Sequence, residues 1–183
     1  MRIFLVGLPG VGKTHYGKKL SQILKCAHID LDEEIENMEG INVSQIFKEK
    51  GEAHFRQLET TTLKKVCQKN NSIVLSVGGG LLMDLENLHF IKKHGVTIYL
   101  KRPLTEIVEN IKREPEKRPL FAGQTEQEIV SNIKTVLQLR RSNYEQTHII
   151  TGVEAFQNPQ LLTNRIELFT NRGVSLIDIV ENN

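Results

Sequence analysis

Short apolar runs alternate with segments of helical periodicity along most of the chain. Apolar residues fill Ile3–Val6 before the first helical segment, and β-branched and aromatic residues dominate Val96–Leu100 further on. Five candidate strands follow from this pattern, at residues 3–6, 27–30, 72–77, 96–100 and 148–151. Strands that alternate with helices of this length are typical of βαβ units. We therefore predict a three-layer α/β/α fold with a five-stranded parallel sheet.

Capping residues predict where several helices begin. The candidate helix starts are Asn42 with Gln45, Thr125 with Glu128, Asp84, and Asn158 followed by Pro159. Gly51 is expected to end one helix, and a longer helix then runs to about Cys67. Helical spacing also places Ile23, Met38 and Leu85 on inward faces.

Composition and charge narrow the class of protein. The 183 residues suffice for one domain with a substantial core, and 39% hydrophobic and 25% charged residues are typical of a soluble globular protein. Because 24 basic residues oppose 22 acidic ones, we predict neither nucleic-acid nor membrane binding. The first strand leaves no room for a signal peptide, and two cysteines do not make a disulfide framework. A cytoplasmic protein with reduced thiols is expected.

The segment from Gly7 to Thr14 carries the strongest chemical signal. It fits the pattern G-x-x-x-x-G-K-[ST], a glycine-rich loop whose backbone N–H groups cradle phosphates. The pattern assigns Lys13 to the β- and γ-phosphates and the Thr14 hydroxyl to Mg²⁺. A strand before the loop and a helix after it supply the required setting, because a helix N-terminus attracts anions. The candidate nucleotide-binding residues are Gly10, Val11, Gly12, Lys13, Thr14 and His15.

Two acidic residues, Asp30 and Asp32, follow the second candidate strand. In an open parallel sheet, ligands bind outside the carboxyl ends of the strands, which places both residues near the phosphate loop. One carboxylate would help to hold Mg²⁺ through its waters, and the other would accept a proton from a substrate hydroxyl. The alternative is a structural role, because acidic residues are favoured at helix N-termini.

Three further features lie near the predicted strand ends. Gly78–Gly80 costs backbone entropy and indicates a site where a ligand approaches the main chain closely, with a tight turn as the alternative. Arg56 offers a planar guanidinium for a carboxylate or phosphate, with a surface pair to Glu59 as the alternative. Lys117–Leu120 lies in an irregular stretch that suits a lid closing over phosphates, or a solvated basic turn.

Taken together, these motifs resemble those of the shikimate kinases. The resemblance covers roughly residues 1–152 and rests on motifs in the family's order: the phosphate loop, Asp30-Leu31-Asp32, Glu52…Phe55-Arg56…Glu59, the triple glycine, Lys117-Arg118-Pro119-Leu120, and Arg140 four residues before Tyr144. It implies transfer of the γ-phosphoryl group of ATP to the 3-hydroxyl of shikimate, a step toward chorismate and the aromatic amino acids. ATP and shikimate are the implied partners, and Mg²⁺ is the implied cofactor.

The resemblance also implies a role for individual residues. Asp32 would bind the substrate hydroxyl and act as its base, and Arg118 would contact the phosphates from the lid. The implied catalytic residues are Lys13, Asp32 and Arg118, with Thr14 and Asp30 at the metal. The implied substrate-binding residues are Asp32, Arg56, Gly78, Gly79, Gly80 and Arg140, and Arg118 joins the ATP-binding set.

The chain also departs from the family pattern. Ser142-Asn143 stands where the family usually has proline-leucine, which leaves Arg141 as an alternative to Arg140. We predict one domain, with substrate-binding helices at about residues 31–68 and a lid at about 114–125. The extension at about 169–183 has no assigned role.

Other functions fit parts of the same pattern. A gluconate or nucleotide kinase would share the phosphate loop, and two arginines would also suit the carboxylate of gluconate. A regulatory module that binds a nucleotide without catalysis is a rival of another class, although it has little need of both a base and a lid. Lys112 or Arg113 is a candidate for contact with adenine. A monomer is expected.

Overall fold

The computed structural model describes residues 1–113, 121, 123–152 and 158–172. Its strands form one five-stranded parallel sheet in the order β2-β3-β1-β4-β5, which confirms the predicted fold. The strands are β1 (Arg2–Val6), β2 (Ala27–Asp30), β3 (Ile73–Ser76), β4 (Val96–Leu100) and β5 (Ile149–Thr151).

Helices connect these strands, as the periodicity predicted. They are α1 (Lys13–Leu24), α2 (Leu31–Glu39), α3 (Val43–Lys69), α4 (Leu85–His94), α5 (Leu104–Arg113), α6 (Glu126–Tyr144) and α7 (Pro159–Arg172). A short 3₁₀-helix at Leu81–Met83, absent from the sequence prediction, follows the triple glycine. Part of the predicted C-terminal extension, residues 169–172, continues α7.

The predicted helix starts are confirmed by side-chain hydrogen bonds. Both capping boxes form, at the N-termini of α3 and α6. Asp84 accepts from the backbone N–H groups of Glu86 and Asn87 at the start of α4. Asn158 accepts from the backbone N–H of Gln160, with Pro159 at the first helical position.

Helix α3 contains the predicted break. Gly51 has φ 80° and ψ 169°, a non-helical conformation that separates a first segment from a longer second one. A side chain at this φ would be strained, so glycine is suited to the position. Both segments contact α2: the backbone N–H of Val43 donates to Glu36 from the first, and Thr62 donates to Met38 from the second.

The central position of β1 sets the location of the site. β1 pairs with β3 on one side and with β4 on the other, and Leu5 lies opposite both Ser76 and Ile98. Because all strands are parallel, the segments that follow β1, β2, β3 and β4 leave the sheet at the same end, beyond the carboxyl ends of the strands. The phosphate loop, the two acidic residues and the triple glycine lie at this end of the sheet.

The core lies between the sheet and helices on both of its faces. Strand β4 and residues Ile3–Val6 of β1 are buried, as expected for central parallel strands. Helices α1 and α7 contact each other, and α4 packs on β4. Right-handed crossovers from β1 toward one edge and from β3 toward the other place their helices on opposite faces.

Three apolar residues predicted to face inward are instead exposed. Ile23 is 39% exposed, Met38 48% and Leu85 66%. Ile23 lies at the margin of the buried stripe of α1, and Leu85 is the first residue of α4, before its buried face begins. Met38 lies in the last turn of α2, where it still accepts a weak hydrogen bond from Thr62. Helical spacing predicts a stripe but not how far the neighbouring elements cover it.

Within the described ranges, we find no helix that combines the length and the apolar character needed to cross a membrane.

The N-cap of α4 offers a test of the fold away from the site. Replacing Asp84 with alanine removes the acceptor for two backbone N–H groups, so we expect the free energy of unfolding to fall by about 1 kcal/mol. Urea denaturation measures this change. Asp84→Ser keeps a capping oxygen and should recover most of the loss, and equal stability of the alanine variant and the native chain would contradict the assignment.

Candidate active site

The loop between β1 and α1 has the backbone of an anion cradle. Gly7, Gly10 and Gly12 have φ values of 147°, 80° and 99°, in the region that favours glycine. Gly12 is the N-cap of α1 and supplies no side-chain hydrogen bond, and the first turn contains no acidic residue. The first N–H groups of α1 therefore face the loop without a side-chain cap, which suits a phosphate.

Two side chains hold this loop. The Lys13 ammonium donates to the carbonyl oxygens of Gly7 at 3.0 Å and Leu8 at 3.2 Å. Asn110 of α5 donates from Nδ2 to the carbonyl oxygen of Gly10 at 2.9 Å. Because Asn110 holds the Gly10 carbonyl oxygen from outside the loop, the adjoining backbone N–H groups stay turned toward the anion cradle. No local sequence pattern pointed to Asn110, because it is 100 residues away from its partner along the chain.

Asp30 connects the loop with the end of β2. Its Oδ2 accepts from the Thr14 hydroxyl at 2.7 Å, and its Oδ1 accepts from the backbone N–H of Asp32 at 3.1 Å. Asp30 is therefore the N-cap of α2, the structural role considered from the sequence. The same carboxylate also lies beside the phosphate loop, so the two interpretations coexist. The adjacent hydroxyl and carboxylate are hard oxygen donors of the kind that Mg²⁺ prefers, and they fit such an ion.

Asp32 has a carboxyl oxygen that points into the protein. The residue is half-buried, and its Oδ1 is withdrawn from solvent without a hydrogen-bond partner among the described residues. Burial, aided by the negative charges of Asp30 and Glu59, raises the pKa of Asp32 to about 7, against the opposing charge of Lys13. An unpaired acceptor of this kind is suited to accept a hydrogen bond from a ligand.

Arg56 is held by two carboxylates of its own helix. It donates to Glu59 at 2.5 Å and to Glu52 at 2.8 Å, and its guanidinium lies 5.4 Å from the centroid of the Phe55 ring. The surface pair with Glu59 considered from the sequence is corrected in one respect: Glu59 is only 1% exposed. Burial raises the pKa of Glu59, and the positive charge of Arg56 opposes that rise.

Glu59 also has an unused oxygen. Its Oε1 is buried and has no hydrogen-bond partner in the part of the chain that the structure describes. A signal for this residue was present in the sequence, because Glu59 lies at helical spacing between Phe55, Leu63 and Val66. A carboxylate within an apolar stripe is costly unless something pairs with it.

The triple glycine is the meeting point of these side chains. A β-carbon at Gly78 would collide with Glu59 Oε1 and lie 3.0 Å from Asp32 Oδ1. A β-carbon at Gly80 would lie 2.6 Å from Nη1 of Arg56. Side chains at these positions would displace the charged groups. The close neighbours of this segment are therefore charged side chains of the protein, and the approach of a ligand to the main chain stays a prediction.

The end of α6 supplies the next cation. A β-carbon at Gly79 would lie 3.0 Å from Nη1 of Arg140, whereas Arg141 is paired with Glu145 at 2.7 Å on the outer side of the helix. The structure thus places Arg140 at the glycine segment and Arg141 away from it. Tyr144 donates from its hydroxyl to the Gly79 carbonyl oxygen at 2.5 Å.

Some predicted residues are elsewhere or are not described. Lys117–Leu120, including Arg118, lies outside the described residues. His15 is exposed at the start of α1, and Lys112 is exposed and paired with Glu126 at 2.5 Å. The structure therefore brings together the loop, Asp30, Asp32, Arg56, the glycines and Arg140, and leaves the lid and the adenine contacts as predictions.

Comparisons with known proteins identify the family of the chain. A family model described as shikimate kinase matches residues 9–169. The shikimate kinase of Aquifex aeolicus is 38% identical over 149 residues, which cover 81% of this chain and 84% of the relative.

Solved structures give the same result. A shikimate kinase from Bacteroides thetaiotaomicron superposes with a TM-score of 0.83 at 30% identity, over 95% of this chain and 99% of that one. A shikimate kinase from Acinetobacter baumannii in complex with shikimate superposes with a TM-score of 0.79 at 28% identity, over 90% and 93% of the two chains. Sequence, fold and site together show that this chain belongs to the shikimate kinase family.

Proposed function

We propose that the chain transfers the γ-phosphoryl group of ATP to the 3-hydroxyl of shikimate. The main support is the group of charged side chains around Gly78–Gly80, where two carboxylates and two guanidiniums meet beside a phosphate loop. The phosphate loop accounts for binding of the phosphoryl donor, and these four charged groups account for binding of the acceptor. An acceptor that carries both hydroxyls and a carboxylate matches them, and shikimate is such a molecule.

The acceptor side is arranged for hydroxyl donors. Asp32 Oδ1 and Glu59 Oε1 are buried acceptors without partners in the described part of the chain, and both approach the space above Gly78. Substrate hydroxyls would donate to them and remove the cost of leaving them unpaired. In this proposal Asp32 receives the proton of the attacking 3-hydroxyl.

The guanidiniums fix the opposite end of the acceptor. Arg56 and Arg140 approach Gly80 and Gly79, one residue apart on the same backbone segment. In this proposal they bind the carboxylate of shikimate, because the planar guanidinium matches a carboxylate. Glu59 and Glu52 keep Arg56 in place. Binding at both ends orients the hydroxyl toward the phosphate loop.

On the donor side, the loop residues Gly10–Thr14 and His15 are proposed to bind ATP. Lys13 would leave its carbonyl partners for the β- and γ-phosphates. Thr14 and Asp30 would hold Mg²⁺, which would neutralise charge on the phosphate oxygens. Arg118, from the predicted lid, would add a positive charge near the transferring group. A monomer in the cytoplasm remains the expected form.

Turnover with defined acceptors tests the proposal. We expect ADP release from Mg-ATP with shikimate, and no comparable release with gluconate or a nucleoside monophosphate, in a coupled assay. A Lys13→Ala preparation made in parallel reports any contaminating kinase. Turnover with gluconate or a nucleotide would overturn the choice of acceptor. Nucleotide binding without turnover on any acceptor would favour the regulatory module.

The proposed base has a conservative test. Asp32→Asn keeps the size of the side chain but cannot accept the proton, so kcat should fall by roughly 10²–10⁴-fold. Steady-state kinetics measures the change, and Glu33→Gln, an exposed neighbour on α2, is the matched control and should retain activity. A near-normal kcat in Asp32→Asn would mean that orientation of the hydroxyl is sufficient, as a loose phosphoryl transition state allows.

Asn110 allows the donor loop to be tested without changing it. Asn110→Leu keeps the approximate volume and removes the hydrogen bond to Gly10, so the KM for ATP should rise by about fivefold. The KM for shikimate should stay within about twofold, because the hydrogen bond of Asn110 goes to the donor loop. Asn164→Leu, on the exposed face of α7, is the control. An unchanged KM for ATP would show that the loop keeps its shape without this bond.

A further inference from the structure

Tyr144 lies where the acceptor and donor sides meet. It is the last residue of α6 and is only 1% exposed, and its ring packs 4.9 Å from the ring of Tyr99. Packing alone would be satisfied by phenylalanine. The hydroxyl, however, extends past the ring contact and donates to the Gly79 carbonyl oxygen at 2.5 Å.

The surroundings of Gly79 show what this hydrogen bond controls. A β-carbon at Gly79 would lie 3.0 Å from Nη1 of Arg140, 3.3 Å from the Tyr144 hydroxyl and 3.2 Å from the Gly7 carbonyl oxygen. Three groups from α6 and the donor loop therefore surround one point on the glycine segment. The Gly7 carbonyl also accepts from Lys13. A shift of Gly79 would therefore change its distances to both the guanidinium and the donor loop.

Arg140 interacts with the same hydroxyl. Burial raises the pKa of Tyr144, and the positive charge of Arg140 opposes that rise. The Arg140 Nη1 and the Tyr144 hydroxyl also lie on the same side of Gly79, at 3.0 Å and 3.3 Å from the position of a β-carbon there. The hydroxyl can donate to the Gly79 carbonyl while it accepts from the guanidinium. One oxygen then orients both the backbone and the cation.

The preceding residue strengthens this connection. Asn143 donates from Nδ2 to the Leu82 carbonyl oxygen at 2.6 Å, three residues beyond Gly79. Two consecutive residues of α6 therefore hold the segment from the triple glycine to the 3₁₀-helix. Movement of the end of α6 relative to this segment would strain both bonds.

We propose that Tyr144 is a positioning residue for the acceptor, whose hydroxyl sets the Arg140 guanidinium against Gly79 so that the acceptor carboxylate meets a fixed cation. This inference rests on the proposed function, because the acceptor is the one named there. Tyr144 itself does not touch the substrate in this proposal. It acts through Arg140 and through the Gly79 backbone.

Tyr144→Phe tests the role of the hydroxyl, since it keeps the ring and its packing. We expect the KM for shikimate, and its dissociation constant measured by calorimetry without ATP, to rise by roughly 5- to 30-fold. The KM for ATP should stay within about twofold. Tyr99→Phe, which removes a hydroxyl from the facing ring, is the matched control and should leave both KM values unchanged. An unchanged affinity for shikimate in Tyr144→Phe, or an equal rise for both substrates, overturns the proposal.

A double mutant separates positioning from a general loss of packing. If Tyr144 acts through Arg140, then Tyr144→Phe should have little further effect on shikimate affinity in an Arg140→Ala background. Full additivity of the two effects would refute the mechanism. Should Tyr144→Phe fail to fold, Asn143→Ala loosens the same segment and should shift the KM for shikimate alone, by a smaller factor. An equal shift for both substrates, or none, counts against the proposal.

The outcome for the native chain distinguishes the two proposals. If the native chain turns over shikimate and Tyr144→Phe leaves the affinity for shikimate unchanged, only the positioning role is refuted. Absence of native turnover and of shikimate binding would remove the proposed function, and the positioning role would fall with it.

Discussion

The absence of side chains at Gly78–Gly80 is the constraint on which the site depends. Helices α2, α3 and α6 each bring a charged group to this segment, and β-carbons at the three positions would lie within 3.0 Å of four such groups. These groups are Asp32, Glu59, Arg56 and Arg140. Because the segment follows β3, next to the central strand β1, the same constraint places the charged groups beside the phosphate loop.

The burial of these charged groups costs free energy, and this cost indicates what the site is for. Glu59 is buried and pairs through one oxygen with Arg56, while its other oxygen and one oxygen of Asp32 have no partner among the described residues. A buried acceptor without a partner costs about 1–3 kcal/mol. A protein that only needed stability would gain from apolar residues at these places. The unpaired oxygens are therefore best explained by a ligand that donates to them.

The fold was largely predictable, since it follows from short-range patterns. Strand boundaries from apolar runs agree with the structure to within one residue, and the caps at Asn42, Asp84 and Thr125 form as expected. The errors concern exposure: Ile23 and Leu85 have helical spacing but lie at the margins of their helix faces. Periodicity describes one element, whereas burial depends on the neighbours that cover it.

The sequence by itself determined which chemical groups follow the strands, because motif residues such as Lys13, Thr14 and Asp32 are set by local spacing. Only the tertiary structure decided how they combine. It turned Arg140 rather than Arg141 toward Gly79, and brought Asn110 to the loop across 100 residues. It also buried Glu59, which the sequence offered as a surface partner. The physical reason is that hydrogen bonds and desolvation act between groups close in space, and the packing of helices on the sheet sets those distances.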